Sequence, residues 1–316
     1  SIFFDDRRID GLAPKDRDLA FLAHDYVPYP SLSVYQNLAI GLERRKFANS
    51  EIRKRVASVA EMLDLQNDLA ANADSLSPEK RRFVGLARVM VRQPKVCLFD
   101  EPFANLDPMV AGRGRAAIGE LRKRSSATIL YSTTNAGEAL ALGARTVLLE
   151  DGAIQQDADA QLVFNEPANL FVARYFADLP MNLVHGTLKQ ERDAVTFVEK
   201  GDGTISVVLP ASRFGHANER GGQAVILGFR AETVEIAASP EPATGSRSIF
   251  RALVERSEPR GSETDLYLRT GAHDLICRSR RWTGQEANGH RFQFQAELEK
   301  AYLFDAVSGF RLPLER

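Results

Sequence analysis

"KVCLFDEPFANLD", residues 95–107, drives a short unbroken apolar run, Val96 to Phe99, straight into two adjacent carboxylates, Asp100 and Glu101. A run of that length predicts a strand buried on both faces, as in a parallel sheet. Its terminal acids then fall at the carboxyl edge of the sheet, where open α/β sheets bind their ligands. At such an edge an aspartate can hold Mg²⁺ through its water shell, and a neighbouring carboxylate can polarise an attacking water. Taken alone the pattern is equally compatible with strand-end acids that are merely solvated.

The surrounding segments supply the rest of an α/β layer. Apolar residues at 52, 56, 59, 60 and 63 form one helical stripe, and Phe83, Leu86, Ala87, Met90 and Val91 form another. Ala116 to Lys123 and Ala136 to Leu142 read as further helices. Thr128 to Tyr131 reads as a second buried strand and Thr146 to Leu149 as a third, closed by the turn "EDG". Strands alternating with helices predict a largely parallel sheet with helices packed on it.

The texture changes after about residue 183. "AVTFV", "TISVVL", "AVILGF", "TVEIA", "FRALVE", "TDLYLR", "DLICR" and "RFQFQAEL" are short and partly alternating, separated by Gly, Pro, Asn and Ser. They predict a small barrel-like β domain, with "ASPEPATGS" (238–246) as an exposed loop. The formal net charge of -1 provides no bulk field for nucleic acid or an anionic membrane. Cys97 and Cys277 lie far apart in apolar runs, the usage expected of buried thiols in a reducing compartment. His185, His216, His273 and His290 are scattered without metal-ligand spacing and read as surface or internally satisfied residues. No uncharged apolar run approaches the ~18 residues of a membrane span. The sequence opens at Ser1 within "SIFF", itself strand-like, so an upstream piece is expected.

"LSPEKRRFVGLARVMVRQPKVCLFDEPFANLD" (76–107) resembles the core of an ATP-binding cassette (ABC) ATPase, in the order signature loop, helix, Walker B strand, D-loop. "PKDRDLAFLAHDYVPYPSLSVYQNLAIGL" (14–42) is similar to the family's Q-loop segment in importer subunits, and "GAIQQDADAQLVFNEPANLFVARYFADLPMNLVHGTL" (152–188) to the end of that domain. "LGFRAETVEI" and "YLFDAVSGFRL" resemble the appended β domain, where Arg230, Glu232 and the 261–263 segment match family motifs. The resemblance implies an α/β P-loop NTPase-like ABC ATPase domain over 1–182, N-terminally incomplete, and an all-β OB/TOBE-like domain over 183–316. It also implies ATP and Mg²⁺ as cofactors, with Asp100 on the metal through water, Glu101 as the catalytic carboxylate and Asp107 in the D-loop. "YVPYP" (26–30) resembles the surface that receives the membrane subunit.

Several positions depart from the family pattern. No Gly-Lys-Ser or Gly-Lys-Thr occurs in the chain, so the loop that cradles phosphates is missing from it. The Q-loop glutamine aligns with His24 and the switch histidine with Thr134, which cannot carry positive charge to a transferring phosphoryl group. The signature reads Ser77-Pro78-Glu79-Lys80. Pro78 has no N–H to give a partner's phosphate, and Glu79 places negative charge where that phosphate should sit. The same residues, Ser at N-cap, Pro at N1 and Glu at N2, also make a good ordinary helix start.

The resemblance therefore implies the ATP-binding subunit of an importer, for carbohydrate or polyol, with weakened hydrolysis. It implies membrane permease subunits as partners, a second ABC ATPase subunit with a heterodimer favoured, and an extracytoplasmic solute-binding protein indirectly, with no nucleic acid. Its implied place is peripheral, on the cytoplasmic face of the membrane. The alternative is a pseudo-ATPase that serves an active subunit as a structural or regulatory partner.

Overall fold

A computed structural model of the chain describes all residues except 192–193, 216–220, 238–246, 283–288 and 314–316. The loop expected at 238–246 and His216 lie outside the described residues. Contacts divide the chain into two units, Ser1–Glu138 and Ala139–Arg316.

The first unit opens with a minimal hairpin, β1 (Phe3–Phe4) and β2 (Arg7–Arg8), followed by β3 (Leu19–Leu22), α1 (Val34–Glu43), α2 (Asn49–Met62) and α3 (Pro78–Arg92). After these come β4 (Val96–Asp100), α4 (Pro108–Arg124), β5 (Thr128–Ser132) and the start of α5 (Ala136–Leu142). Strands β3, β4 and β5 form a parallel sheet in that order. Ala20, Cys97 and Ile129 are in register, as are Leu22, Phe99 and Tyr131, and this face packs into one core with the apolar stripes of α1 to α4.

The opposite face departs from expectation. Phe21, Leu98 and Leu130 are also in register, yet Phe21 and Leu130 are each 56% exposed and Leu98 is half-buried. The strand at β4 is thus buried on one face, and β5, expected to be buried, alternates between exposed and half-buried. Among the described residues the core helices cover one side of this sheet, and β3 and β5 are its two edge strands.

In the second unit, β6 (Arg145–Glu150) was expected to extend the parallel sheet. It pairs instead with β7 (Ala153–Asp159), antiparallel, in a two-stranded ribbon. The cause is local. Asp151 and Gly152 both hold positive φ, 49° and 78°, and a two-residue turn of that kind folds the chain directly back on itself. Short helices α6 (Ala160–Asn165) and α7 (Leu170–Tyr175) follow.

The rest is all-β. One antiparallel sheet has the order β10-β9-β8-β11-β17, built from β8 (Asn182–Glu191), β9 (Ala194–Glu199), β10 (Ser206–Leu209), β11 (Ala224–Phe229) and β17 (Tyr302–Asp305). The other has the order β12-β16-β13-β14-β15, built from β12 (Val234–Ile236), β13 (Arg247–Arg260), β14 (Glu263–Arg269), β15 (Asp274–Ser279) and β16 (Arg291–Glu297). A one-turn helix, α8 (Ala211–Phe214), links β10 to the next segment. Inward residues of both sheets, among them Phe197, Leu227, Val254, Leu266 and Phe294, share one core. This half-barrel is the OB/TOBE-like architecture expected. Gly261 and Ser262 form the two-residue turn between β13 and β14.

Two histidines of this unit meet. The rings of His185 and His273 stack 5.8 Å apart, and His273 Nδ1 lies 2.7 Å from the buried Glu199 carboxylate. The backbone N–H of His185 donates to His273 Nε2, which leaves Nδ1 as the protonated nitrogen. Among the described residues no group of His, Cys, Asp and Glu has the arrangement of a metal site.

Candidate functional site

The parallel sheet delivers Asp100 and Glu101 to its carboxyl edge. Asp100 is directly opposite Ser132, the last residue of β5. The Ser132 hydroxyl donates to Asp100 Oδ1 at 2.6 Å and accepts from the Glu101 N–H at 3.1 Å. That N–H also reaches the Ser132 carbonyl, at 3.2 Å. Glu101 is held with φ at 42°, left-handed backbone that costs an L-residue roughly 1–2 kcal/mol, and the Ser132 bonds are what oppose it. Nothing in the sequence alone singles out Ser132; its role follows from the strand register.

The next turn is fixed by packing. Phe103 lies against α4, and a Cβ at Gly114 would stand 2.3 Å from its ring, so the loop sits flush on the helix because that position is glycine. Asp107 caps α4, accepting from the Met109 N–H at 2.8 Å, with Pro108 at the first helical position.

His24 follows β3 on the same edge. Its Nδ1 is 3.9 Å from Glu101 Oε2, beyond hydrogen-bond range but close enough for attraction when the ring is protonated. The loop carrying it is pegged from two sides. Arg82 of α3 donates to the Ala23 carbonyl at 3.1 Å. Buried Asn37 accepts from the Tyr29 N–H at 2.8 Å and donates to the Tyr29 and Ser33 carbonyls at 3.1 and 3.0 Å. Within "YVPYP" Tyr26 packs on the core and bonds Arg88 at 3.0 Å, while Tyr29 is exposed beneath the same guanidinium. Burial pushes the Tyr26 hydroxyl pKa up.

Thr134 stands two residues beyond Ser132, in the loop leading to α5. Glu138 braces that loop. It is 9% exposed and its carboxylate accepts from Arg115 at 3.1 Å, the Tyr131 hydroxyl at 2.9 Å and the Thr133 hydroxyl at 2.8 Å. Burial, then Glu138, raises the Tyr131 hydroxyl pKa.

The signature-like residues form the start of α3. Ser77 is its N-cap, accepting from the Lys80 N–H at 3.3 Å, with Pro78 and Glu79 in the first turn. Lys80 Nζ is tied to Asp68 at 2.7 Å. Their hydrogen bonds and ion pairs among the described residues are within α3 and to Asp68 in the segment before it. The structure therefore gathers His24, Asp100 and Glu101 with Ser132, and leaves Ser77 to Lys80 as a separate helix tip.

As a donor set, Asp100 fits Mg²⁺. One oxygen is occupied by Ser132 and the other is free of hydrogen bonds among the described residues, which suits an ion that takes hard oxygens and keeps much of its water. His24, Asp100 and Glu101, with Ser132 behind them, thus bring two carboxylates and an imidazole to one end of the parallel sheet.

Residues 1–104 match the protein family described as ABC transporter. Similarity to individual proteins extends much further. An uncharacterized ABC transporter ATP-binding protein of Bacillus subtilis, YurJ, is 33% identical over 308 residues, 97% of this chain and 82% of that protein. The trehalose/maltose import ATP-binding protein MalK of Thermococcus litoralis is 34% identical over 94% of this chain and 78% of its own. The oligosaccharides import ATP-binding protein MsmX of Bacillus subtilis is 32% identical over 98% and 83%.

Proposed function

The chain belongs to the family of ABC transporter ATP-binding proteins, and from that premise we propose that it is the ATP-binding subunit of an importer for a carbohydrate or polyol. The observation that carries this reading is likeness to two sugar-import ATP-binding proteins across both units, β domain included. The functional domains are assigned as 1–182 for the ATPase part and 183–316 for the OB/TOBE-like part. Among the described residues no helix is long and apolar enough to cross a membrane. The subunit sits on the cytoplasmic face, held by membrane permeases through the Tyr26–Pro30 surface and by a second ATPase subunit, with an extracytoplasmic binding protein acting indirectly.

Within the site, Asp100 holds Mg²⁺ through water, Glu101 polarises the attacking water, and His24 stands at the Q-loop position. Asp107 occupies the D-loop and Thr134 the switch position. Ser77, Pro78, Glu79 and Lys80 face the partner's ATP. Bound Mg²⁺-ATP supplies the phosphoryl group whose release drives transport. The helix cap made by Ser77 and the missing N–H of Pro78 support weakened hydrolysis at the partner's site, since each lost bond to a charged phosphate costs roughly 1.5–3 kcal/mol. A heterodimer with an intact partner is favoured on the same ground. Those departures also favour a second reading, a pseudo-ATPase that docks and regulates without turnover.

Equilibrium titration of the chain with a fluorescent ATP analogue, with and without Mg²⁺, tests the first reading. Binding that Mg²⁺ strengthens and Asp100→Asn weakens supports it. No detectable affinity of the full chain for the analogue, with or without Mg²⁺, defeats it in favour of the second.

A further inference from the structure

Phe164, Asn165, Arg213, Arg230, Tyr302 and Arg311 line an open cleft of about 970 Å³ within the C-terminal unit. Lys300, Glu166 and Glu232 also face it. Two of its four cations are already paired. Lys300 Nζ is 2.9 Å from Glu297, and Arg311 Nη2 is 3.3 Å from Glu166.

Arg213 and Arg230 are different: neither makes an ion pair among the described residues. Arg230 is only 5% exposed. Its guanidinium lies 4.1 Å over the Phe164 ring and gives one N–H to the Phe164 carbonyl at 2.7 Å. Its Nε and Nη1, sealed from solvent, have no hydrogen-bond partner among the described residues. Arg213 lies 5.2 Å over the Tyr302 ring and gives its Nε–H to the Ala301 carbonyl at 2.8 Å. Its terminal nitrogens bond no described residue. Burial lowers the pKa of both groups.

Glu232 lies near enough to attract Arg230 but does not pair with it among the described residues; a buried guanidinium left unpaired is costly, and native proteins resolve such a group with an anion or ordered water. Guanidinium forks match the oxygens of phosphate. Two cations that line one cleft and make no ion pair among the described residues suit a dianion, and a phosphate monoester carries close to two charges at neutral pH. The cleft is far roomier than a bare phosphate, and Pro313 offers apolar wall. We propose that this cleft binds a small organic phosphate of sugar size, its phosphoryl group taken by the terminal nitrogens of Arg213, with the buried Arg230 guanidinium adding charge from behind, and its body resting against Pro313. The site lies wholly in the C-terminal unit and does not depend on the importer reading.

Calorimetric titration of the full chain with glucose 6-phosphate, inorganic phosphate and glucose tests it. The expected result is saturable binding of glucose 6-phosphate, weaker binding of inorganic phosphate and none of glucose. Arg213→Gln should cut the affinity about tenfold or more, the scale of one charge-assisted bond. If that variant is misfolded by circular dichroism, the double variant Lys300→Gln/Arg311→Gln, at the cleft rim, should still lower affinity several-fold and flatten its dependence on salt. No saturable heat from glucose 6-phosphate overturns the proposal. So does affinity unchanged in the cleft variants, or binding of glucose or inorganic phosphate as tight as that of the sugar phosphate.

Discussion

Replacing Glu138 by alanine should unfasten the loop that carries Thr134. The wild-type carboxylate accepts three side-chain hydrogen bonds, from Arg115, Tyr131 and Thr133, in a nearly buried position. Alanine leaves the Arg115 guanidinium without its carboxylate and the Tyr131 hydroxyl without its acceptor. Removing one partner of such a buried pair costs about 3–5 kcal/mol. Glutamine keeps an acceptor and the shape but loses the charge, so Glu138→Gln should cost about 1.5–3 kcal/mol. At about 2–4 °C per kcal/mol for a unit of this size, the alanine variant should melt about 6–20 °C lower. The assay can separate the two units. Trp282, the single tryptophan, packs edge-on against Phe292 in the C-terminal core, whereas the long helices belong to the first unit. In urea, the ellipticity transition should move to lower denaturant and the tryptophan fluorescence transition should stay. A loss no larger than the ~0.5 kcal/mol of an ordinary surface substitution would refute the bracing role. An equal shift in both signals would refute its locality.

Other expectations concern packing and ionisation. Asp265 is fully buried between Arg278 and Arg260, and the Arg278 hydrogen bond holds its carboxyl below the usual carboxylate range. Its contribution is therefore complete above the ordinary aspartate value near ~3.9 and fades as pH falls through the lower folded value. Asp265→Asn should be less stable than wild type at pH 7 by about 3–5 kcal/mol, with the gap closing in acid, as read by urea midpoints of tryptophan fluorescence. At Gly85 a Cβ would stand 2.5 Å from Tyr26 Cδ1 and 2.7 Å from Leu22 Cδ1, so Gly85→Ala should cost about 1–3 kcal/mol in the helical transition. Burial pushes the Cys97 thiol up to about 11 and the Cys277 thiol up to about 12. Neither should react with a disulfide reagent in the native protein at pH 8, and both should react in urea; rapid native labelling would contradict their burial.

Much of the fold was legible where one physical signal dominated. The run Val96–Phe99 ending in acids marked a strand, and the stripes at 52–63 and 83–91 marked α2 and α3, because helices pack one face. Ala136–Leu142 coincides with α5. Strand neighbours were less legible. Nothing in "TVLL" says that it will turn back on β7 and leave the parallel sheet, since that outcome is set by the backbone of Asp151 and Gly152. β8 escaped notice because its sequence, "NLVHGTLKQE", mixes polar residues and a glycine into a strand stabilised by neighbours on both sides. At the candidate site the carboxylates declared themselves, whereas Ser132, Arg82 and Asn37 did not. A hydroxyl or amide acquires its role only when register brings it opposite the group it serves.

The uncovered side of the parallel sheet has a consequence for handling the protein. Phe21, Leu98 and Leu130 form an oily strip across three strands, and the flank of β5 beyond them has no strand paired to it among the described residues. Such a strip adsorbs apolar dyes and invites neighbouring molecules to add their own strands. Sulfate should coax the chain into aggregates, and a charged residue in place of Leu130 should keep concentrated solutions clear.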